Sequence, residues 1–274
     1  MEKGNIIKDL FGGMQMINPI ELSTDDLYFA DNNYMSVSRY KRFKQCEVLG
    51  MVDFGQPTES MKIGSYVDNY VSGTLDKFIE DNPDIISSRG KTKGELKSGF
   101  KQAEEICRFI DNDKVIQQFL SGDKQTVVTG EIKGVPFKSK LDIYSKGIAI
   151  NDLKIMASIT DRKGDYYDFI SNWGYDIQLA VYQELIFQNT GDKLPCYIVA
   201  VTKEYPINSA IINIPQEILD SALLEVEDKI ERFYNIWIGV EQAIGCGKCS
   251  SCISMRSSTP IISMLDIIKN NSEL

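Results

Sequence analysis

Apolar residues follow a helical period in the first part of the chain. The stretches "YMSVSRYKRFKQCEV" (34–48) and "MKIGSYVDNYVSGTLDKFIED" (61–81) both place apolar residues three and four apart, which predicts two helices. Ser36 or Ser38 is suited to cap the start of the first helix. The next stretch, "SSRGKTKGELKSGFKQAEEICRFI" (87–110), begins as a basic loop and then predicts a third helix rich in charge.

The middle of the chain changes to short β-branched stretches separated by glycine. "KQTVVTGEIKG", "FKSKLDIYS" and "GIAINDLKI" predict three strands of a meander. A helix that ends at Gly191 comes next, then the strand "LPCYIVAVT" and a further strand, "AIINI". A long amphipathic helix begins at Pro215. This order of helices, meander, helix, strands and helix predicts an α/β fold.

The length of 274 residues fits one large domain with appendages. We expect a single domain between an irregular N-terminal arm and a C-terminal tail. Its predicted divisions are the arm at 1–33, a domain at 34–255 with a helical part at 34–122, a core at 123–240 and a cysteine cluster at 246–252, and the tail at 256–274.

Charge and composition narrow the chemistry. The net charge of -9 argues against simple coating of nucleic acid, although it allows a local basic site. The chain contains no histidine, which excludes Ser-His and Cys-His nucleophile pairs and every zinc site that needs imidazole. Chemistry must therefore depend on carboxylates, lysine, tyrosine, thiolates or metals.

Three charged side chains interrupt two of the apolar strands. Asp142 ends one strand segment, and Asp152 and Lys154 flank Leu153 at the end of the next. Side chains alternate along a strand, so Asp152 and Lys154 point to the same face. If the strands pair through the turn "SKG", Asp142 lies near Asp152 and the carboxylates converge. Converging carboxylates repel unless a cation separates them, so the pattern predicts a Mg²⁺ site at which Lys154 orients or deprotonates an attacking water.

A lone D-x-K triplet is more typical of a solvated hairpin, but other stretches surround it in a fixed order. These are "YMSVSRYKRFKQCE", "IGSYVDNY", "GVPFKSKLD" and "YDIQLAVYQELI". Together with "KLDIY...GIAINDLK", they resemble the PD-(D/E)XK nucleases, and over about residues 34 to 255 the phage RecE-like exonucleases of that superfamily. The resemblance implies a restriction-endonuclease-like core, with a central mixed β-sheet flanked by helices and an added N-terminal helical region.

The same resemblance assigns expected roles to the central residues. It implies that Asp142 and Asp152 bind Mg²⁺ or Mn²⁺ and that Lys154 is the catalytic lysine. Gln178 and Tyr182 fall on the Q-x-x-x-Y motif of the RecB-type branch. Four residues apart, they share one helix face and are expected to contact the DNA backbone or to organise the site.

Two further acids and several basic residues are candidates around this centre. The family's early helix commonly carries a histidine where this chain has Asp68, and a carboxylate there can also hold Mg²⁺; the alternative is a helix-surface acid. Glu131 is a further candidate ligand, or a solvated strand-end acid. Basic residues near the core are expected to contact DNA phosphates, although each alone is more typical of a solvated face: Arg39, Lys41, Arg42, Arg162 and Lys163.

The cysteines form a second candidate site. Cys246, Cys249 and Cys252 form a C-x-x-C-x-x-C run, which can hold three irons of a 4Fe-4S cluster, and Cys46 is the expected fourth ligand. Related nucleases of the AddB and CRISPR-adaptation kind also place one cysteine before the core and three after it, with a wider last gap. A zinc site of the same four thiolates is the alternative, and free surface thiols remain a third possibility.

The leading functional hypothesis is a Mg²⁺-dependent 5′ to 3′ exonuclease that acts on double-stranded DNA ends and leaves single-stranded overhangs. The resemblance alone implies this polarity, together with a ring-like homo-oligomer and a RecT-like annealing protein as partner. Alternatives are a RecB/AddB-like or CRISPR-adaptation-like nuclease on single-stranded or flap DNA, and a non-catalytic DNA-end-binding module.

The sequence also carries an expectation about location. No run reaches the roughly 18 apolar residues of a membrane span, and "MEKGNIIKDL" lacks the apolar stretch of a secretory signal. We therefore expect a protein of the bacterial host cytoplasm that does not bind membranes.

Overall fold

The computed structural model describes residues 25–160, 169–259, 261, 263 and 264, and its centre is a six-stranded mixed sheet. The strands are β1 (Met35–Ser36), β2 (Asp123–Ile132), β3 (Val135–Ser145), β4 (Ala149–Met156), β5 (Cys196–Thr202) and β6 (Ser209–Ile214). They lie in the order β1-β3-β4-β5-β6, and β2 pairs with β3. The predicted α/β fold with a central mixed sheet and flanking helices is confirmed.

The predicted meander is formed by β2, β3 and β4, which pair antiparallel. Lys133 and Gly134 both have positive φ in the tight turn between β2 and β3, which suits the twist of a two-residue hairpin loop. The chain then crosses over and returns as β5, parallel to β4, before β6 pairs antiparallel with β5.

Helices cover both faces of the sheet. They are α1 (Asp25–Ala30), α2 (Val37–Gln45), α3 (Glu47–Met51), α4 (Glu59–Ser72), α5 (Leu75–Asp81), α6 (Ser98–Asn112), α7 (Lys114–Phe119), α8 (Phe169–Trp173), α9 (Tyr175–Thr190), α10 (Gln216–Trp237) and α11 (Ser250–Ser254). Apolar residues of α2, α9 and α10 fill the core on one face, and those of α4, α6 and α7 fill the core on the other. Within the described ranges, no helix is both long and apolar enough to cross a membrane.

Local signals explain several helix ends. Ser36 caps α2, its hydroxyl accepting a hydrogen bond from the Arg39 amide at 3.2 Å. Gly191 ends α9 in the left-handed conformation, as predicted. The helix predicted over 61–81 is instead two helices, because Gly73 adopts a φ of 74° and ends α4 before α5 begins.

The arm predicted to be irregular contains the short helix α1, and the rest of it, residues 1–24, lies outside the described residues. Lys138 of β3 anchors the end of this helix. Its ammonium donates to the carbonyls of Tyr28 and Asp31 and to the Asp31 carboxylate at 3.1 Å. Because this lysine is buried, losing these partners would leave a charge without compensation.

Gly50→Ala is expected to destabilise the fold. An added Cβ would lie 2.3 Å from Cγ of Phe43, whose ring stacks on Phe233 with centroids 5.4 Å apart. Overpacking of this kind costs about 1–3 kcal/mol, which should lower the Tm measured by calorimetry by several degrees. Gly55→Ala is the matched control, because its Cβ would meet nothing within 4 Å. Equal Tm values for the two variants would contradict the expectation.

Candidate active site

The edge of β3 that faces β4 is only partly paired. β4 pairs with residues 143–145 through residues 149–151, and β1 pairs with Phe137 and Lys138. Residues 139–142 have no strand partner on this edge within the described part of the chain, whereas β2 pairs along the other edge. β3 and β4 therefore separate at Asp142 and Asp152, which the register would otherwise place opposite each other.

The regular geometry of β3 is interrupted at Asp142. Leu141 packs into the core that contains α9, but Ile143 packs into the opposite core, although residues two apart normally share a face. On β2, Gln125 has a φ of 51° at the level of Asp142. In place of a backbone pair with β4, the Asp142 carboxylate accepts a hydrogen bond from the Leu153 amide of β4 at 3.1 Å. The prediction that Asp142 ends its strand is thus wrong: it lies inside β3, at an irregularity.

Asp152 and Lys154 lie inside β4 rather than at its end, with their side chains in contact. The Lys154 ammonium contacts Oδ2 of Asp152 and lies 3.6 Å from Oδ2 of Asp142. Only 1% of the Asp152 side chain is exposed, against 18–20% for the other two. The lysine therefore serves as a counter-ion for both carboxylates, one of which is almost completely removed from water.

Gln178 and Tyr182 of α9 complete the environment of Asp152. The Gln178 amide nitrogen lies 2.9 Å from Oδ1 of Asp152 and 2.9 Å from the Tyr182 hydroxyl. This hydroxyl donates in turn to the Lys140 carbonyl at 3.3 Å, on the unpaired edge of β3. The Gln178 carbonyl oxygen accepts from Lys41 of α2 at 3.0 Å. Contacts at both ends of the amide fix its orientation, so that it donates to Asp152.

Within the acidic cluster, which we define as Asp68, Asp142 and Asp152, the pKa values of Asp68 and Asp142 are raised. Burial raises the pKa of Asp142 well above its usual value; Lys154 opposes this effect, while Asp152 and Asp68 add to it. Burial also raises the pKa of Asp68 to about 7, again against Lys154 and with Asp152. Burial alone would lower the pKa of Lys154, yet Asp152 and Asp142 outweigh it and raise that pKa. Mutual repulsion in this site thus favours the binding of cations.

Comparisons with known proteins identify the family of this chain. Residues 36–255 match the profile of a family described as a PDDEXK-like domain of unknown function, DUF3799. The chain belongs to this family. A crystal structure of a candidate exonuclease from Eubacterium rectale is 40% identical in sequence, with a TM-score of 0.80 over 93% of this chain and 98% of that one. No protein with a curated description matches.

PDDEXK-like nucleases generally use divalent metal ions, and the residues of this site fit one. Asp142 and Asp152 approach closely enough to share a hydrogen bond, and Asp68 is coupled to both electrostatically. These hard oxygen donors suit Mg²⁺ or Mn²⁺. The carboxylates of Asp142 and Asp152 would hold the ion, in exchange for part of their contact with Lys154, and Asp68 is a further candidate ligand through its electrostatic coupling to them.

Glu131 does not join the acidic cluster of the PDDEXK-like domain. It pairs with Pro136, six residues before Asp142, which corresponds to about 20 Å along the strand. Its side chain is exposed, and its backbone amide donates to Gln188 at 3.0 Å. Its prediction as a metal ligand is therefore wrong, because it lies near the opposite end of β3.

The basic residues expected to contact DNA have mostly structural partners. Arg39 is buried and donates to the Gly50 carbonyl at 2.8 Å, and Arg42 donates to the carbonyls of Leu49 and Val52. Both guanidinium groups secure the segment that follows α2. The burial of Arg39 makes its predicted DNA contact wrong, whereas the DNA contact of Arg42, which is only partly buried, stays a prediction. Arg162 and Lys163 lie outside the described residues.

Lys41 has structural partners beside the acidic cluster, and its phosphate contact stays a prediction. It donates to the Trp173 carbonyl at 3.1 Å and to Gln178, while burial and Lys154 lower its pKa to about 8. Lys140, which sequence reasoning did not single out, is electrostatically coupled to Asp68. The alternation of Lys138, Lys140 and Asp142 in "FKSKLD" was the available signal.

The structure also brings together the cysteine cluster, Cys46, Cys246, Cys249 and Cys252, whose sulfur atoms all lie within 4.8 Å of one another. Backbone amides of Lys248 and Cys249 donate to the Cys246 sulfur and lower the pKa of this thiol to about 6. The cluster lies beside α3 and α10, apart from the acidic residues.

In metal-free buffer, Asp68→Asn is expected to stabilise the protein at pH 8. The pKa of Asp68 is about 7 in the folded chain, against about 3.9 in an unfolded one, so the folded state binds more protons between these values. Stability therefore falls as the pH rises from about 4 to 7, by at most about 4 kcal/mol. Because asparagine does not ionise, the variant keeps the stability that the wild type loses over this range. Below about pH 4 the variant should have no advantage in stability. Thermal unfolding in chelator between pH 4 and 8 measures the effect.

The control is Asp76→Asn, which changes an exposed acid on α5. This variant should follow the wild type throughout the pH range. Added Mg²⁺ should then raise the Tm of the wild type and of the control more than that of Asp68→Asn. An equal response of all three proteins to Mg²⁺ would rule out Asp68 as a ligand.

Proposed function

We propose that this PDDEXK-like protein is a metal-dependent deoxyribonuclease that digests duplex DNA from an end. The observation that carries the proposal is the contact of Asp142, Asp152 and Lys154 at the point where two strands separate. A surface hairpin with solvated charges would not bury Asp152 or orient an amide toward it. A module that only binds DNA has no need of this costly combination of buried charges.

Each residue has a defined part in phosphodiester hydrolysis. A bound divalent ion would neutralise charge on the scissile phosphate and make an attacking water more acidic. Asp142 and Asp152 hold oxygen donors at fixed positions, because the Leu153 amide and Gln178 restrain them. Preorganised groups of this kind lower the barrier because little rearrangement is needed during the reaction.

Lys154 has two candidate roles in the reaction. Without a bound ion, Asp152 and Asp142 raise the pKa of Lys154 and keep its ammonium protonated. Because a divalent ion would offset these two carboxylates, both roles proposed from the sequence are retained: Lys154 orients the attacking water, or it removes a proton from that water. Tyr182 and Lys41 act through Gln178, because their hydrogen bonds position its side chain.

Similarity to a candidate exonuclease supports action at DNA ends. The finer features depend on the resemblance to phage RecE-like enzymes: 5′ to 3′ polarity, a ring-like homo-oligomer around duplex DNA, and cooperation with a RecT-like annealing protein in recombination. The cysteine cluster favours a second candidate, a nuclease of the RecB/AddB or CRISPR-adaptation kind that cuts single-stranded or flap DNA.

Lys154→Ala is expected to reduce digestion of linear duplex DNA in Mg²⁺ by about a thousandfold, because it removes both the orienting donor and the charge between the carboxylates. Release of nucleotides from end-labelled duplex measures the rate. Lys146→Ala is the matched control on the same hairpin, where the side chain is exposed in the turn. Folding of both variants is verified by their Tm. Equal digestion by Lys154→Ala and the wild type would refute the assignment.

A set of matched substrates tests the choice of DNA. We expect digestion of blunt and recessed linear duplexes and no digestion of a covalently closed circle, with label lost first from the 5′ end. Preference for single-stranded or flap DNA would instead favour the second candidate. Cleavage of the closed circle would contradict an enzyme that requires an end.

A further inference from the structure

The spacing of the four cysteine sulfurs identifies the kind of metal that they suit. The sulfur of Cys252 lies 3.6 Å from that of Cys46 and 4.0 Å from that of Cys246, and no pair exceeds 4.8 Å. Four thiolates around one tetrahedral Zn²⁺, with bonds of about 2.3 Å, stand about 3.8 Å apart. The observed distances fit this geometry, and they are too long for disulfides, whose S–S bond is about 2.05 Å.

A 4Fe-4S cluster requires a wider arrangement. Its four thiolates bind four different irons at the corners of a cube and point away from the centre, which separates them by roughly 6 Å. All four sulfurs lie closer together than this. The sequence left both an iron–sulfur cluster and a zinc ion open. The short sulfur–sulfur distances favour a single ion.

The backbone around the cluster is shaped for metal-bound thiolates. The Cys246 sulfur accepts from the amides of Lys248 and Cys249 at 3.4 and 3.3 Å, and the Cys249 sulfur accepts from the Cys252 amide at 3.5 Å. Gly247 makes the tight turn possible, with a φ of 71°. Such amide donors stabilise negative charge on sulfur and orient it, as outer-sphere partners of metal ligands do.

We propose that Cys46, Cys246, Cys249 and Cys252 bind one structural Zn²⁺ ion that fastens the segment after α10 to the junction of α2 and α3. Cys46 follows α2 directly, and Cys246 lies 200 residues further along the chain. With four protein ligands, the ion has no open position for substrate, which is typical of structural zinc sites.

A neighbouring ion pair also links α3 to α10 and to the segment after it, but this link is weak. Glu47 of α3 accepts two hydrogen bonds from Arg232 of α10, and its carboxylate also accepts from the Ile244 amide at 2.6 Å. About a third of the Arg232 side chain is exposed, so solvent weakens this pair. Zinc binding would add stability that does not depend on burying a large apolar surface.

Metal analysis of the full-length chain, purified anaerobically without added metal, tests the proposal. We expect one zinc per chain in the wild type and at least a fivefold lower content in Cys246→Ser, whose exposed side chain is not needed for packing. Cys107→Ala is the matched control, because Cys107 is buried in α6 away from the cluster and its loss should leave the zinc content unchanged.

The outcomes separate the alternatives. Four irons with inorganic sulfide, one iron per chain, or no bound metal in the wild type would each overturn the proposal. Full zinc content in Cys246→Ser would overturn it as well. Amide hydrogen exchange provides a second readout: in Cys246→Ser, residues 239–255 should exchange at least tenfold faster, and equal exchange would contradict the fastening role. Both readouts are independent of nuclease activity.

Discussion

The burial of carboxylates beside one lysine is the constraint on which the site depends. Removing Asp152 from water is costly unless its oxygens keep partners, and those partners come from different parts of the fold. Lys154 comes from the same strand, whereas Gln178 comes from the helix that crosses the sheet. The Leu153 amide has no β3 backbone partner where the strands separate, and it donates to the Asp142 carboxylate. The irregular strand is thus the structural condition that lets these charges meet.

The support for this centre extends through α2, three of whose basic residues have internal partners. Lys41 fixes the amide of Gln178, while Arg39 and Arg42 bind carbonyls of the segment that begins with α3. A helix with three such partners cannot turn to present its charges to DNA without breaking them. In a chain with a net charge of -9, these basic residues stabilise the fold by internal hydrogen bonds. Fewer basic residues are then left to contact DNA phosphates.

Much of the fold follows from signals that act locally, such as the Ser36 cap, the glycine that ends α9 and the β-branched stretches of the meander. The sequence also indicated that Asp142, Asp152 and Lys154 converge, because alternation and a short turn determine their placement. Glu131 was misassigned because distance along a strand depends on the pairing register, which is a tertiary property. The inward orientation of Arg39 likewise depends on Gly50 and Trp237, which pattern alone cannot place beside it.

The acidic cluster and the cysteine cluster are separate in chemistry but joined through one helix. Lys41 lies within α2, and Cys46 follows its last residue, so any force that holds Cys46 also restricts the end of the helix that positions Gln178. Linking residues about 200 positions apart removes more conformational freedom from the unfolded chain than a short link does. A metal at the cysteines would therefore stabilise the helical region that completes the acidic site, although it never touches the substrate.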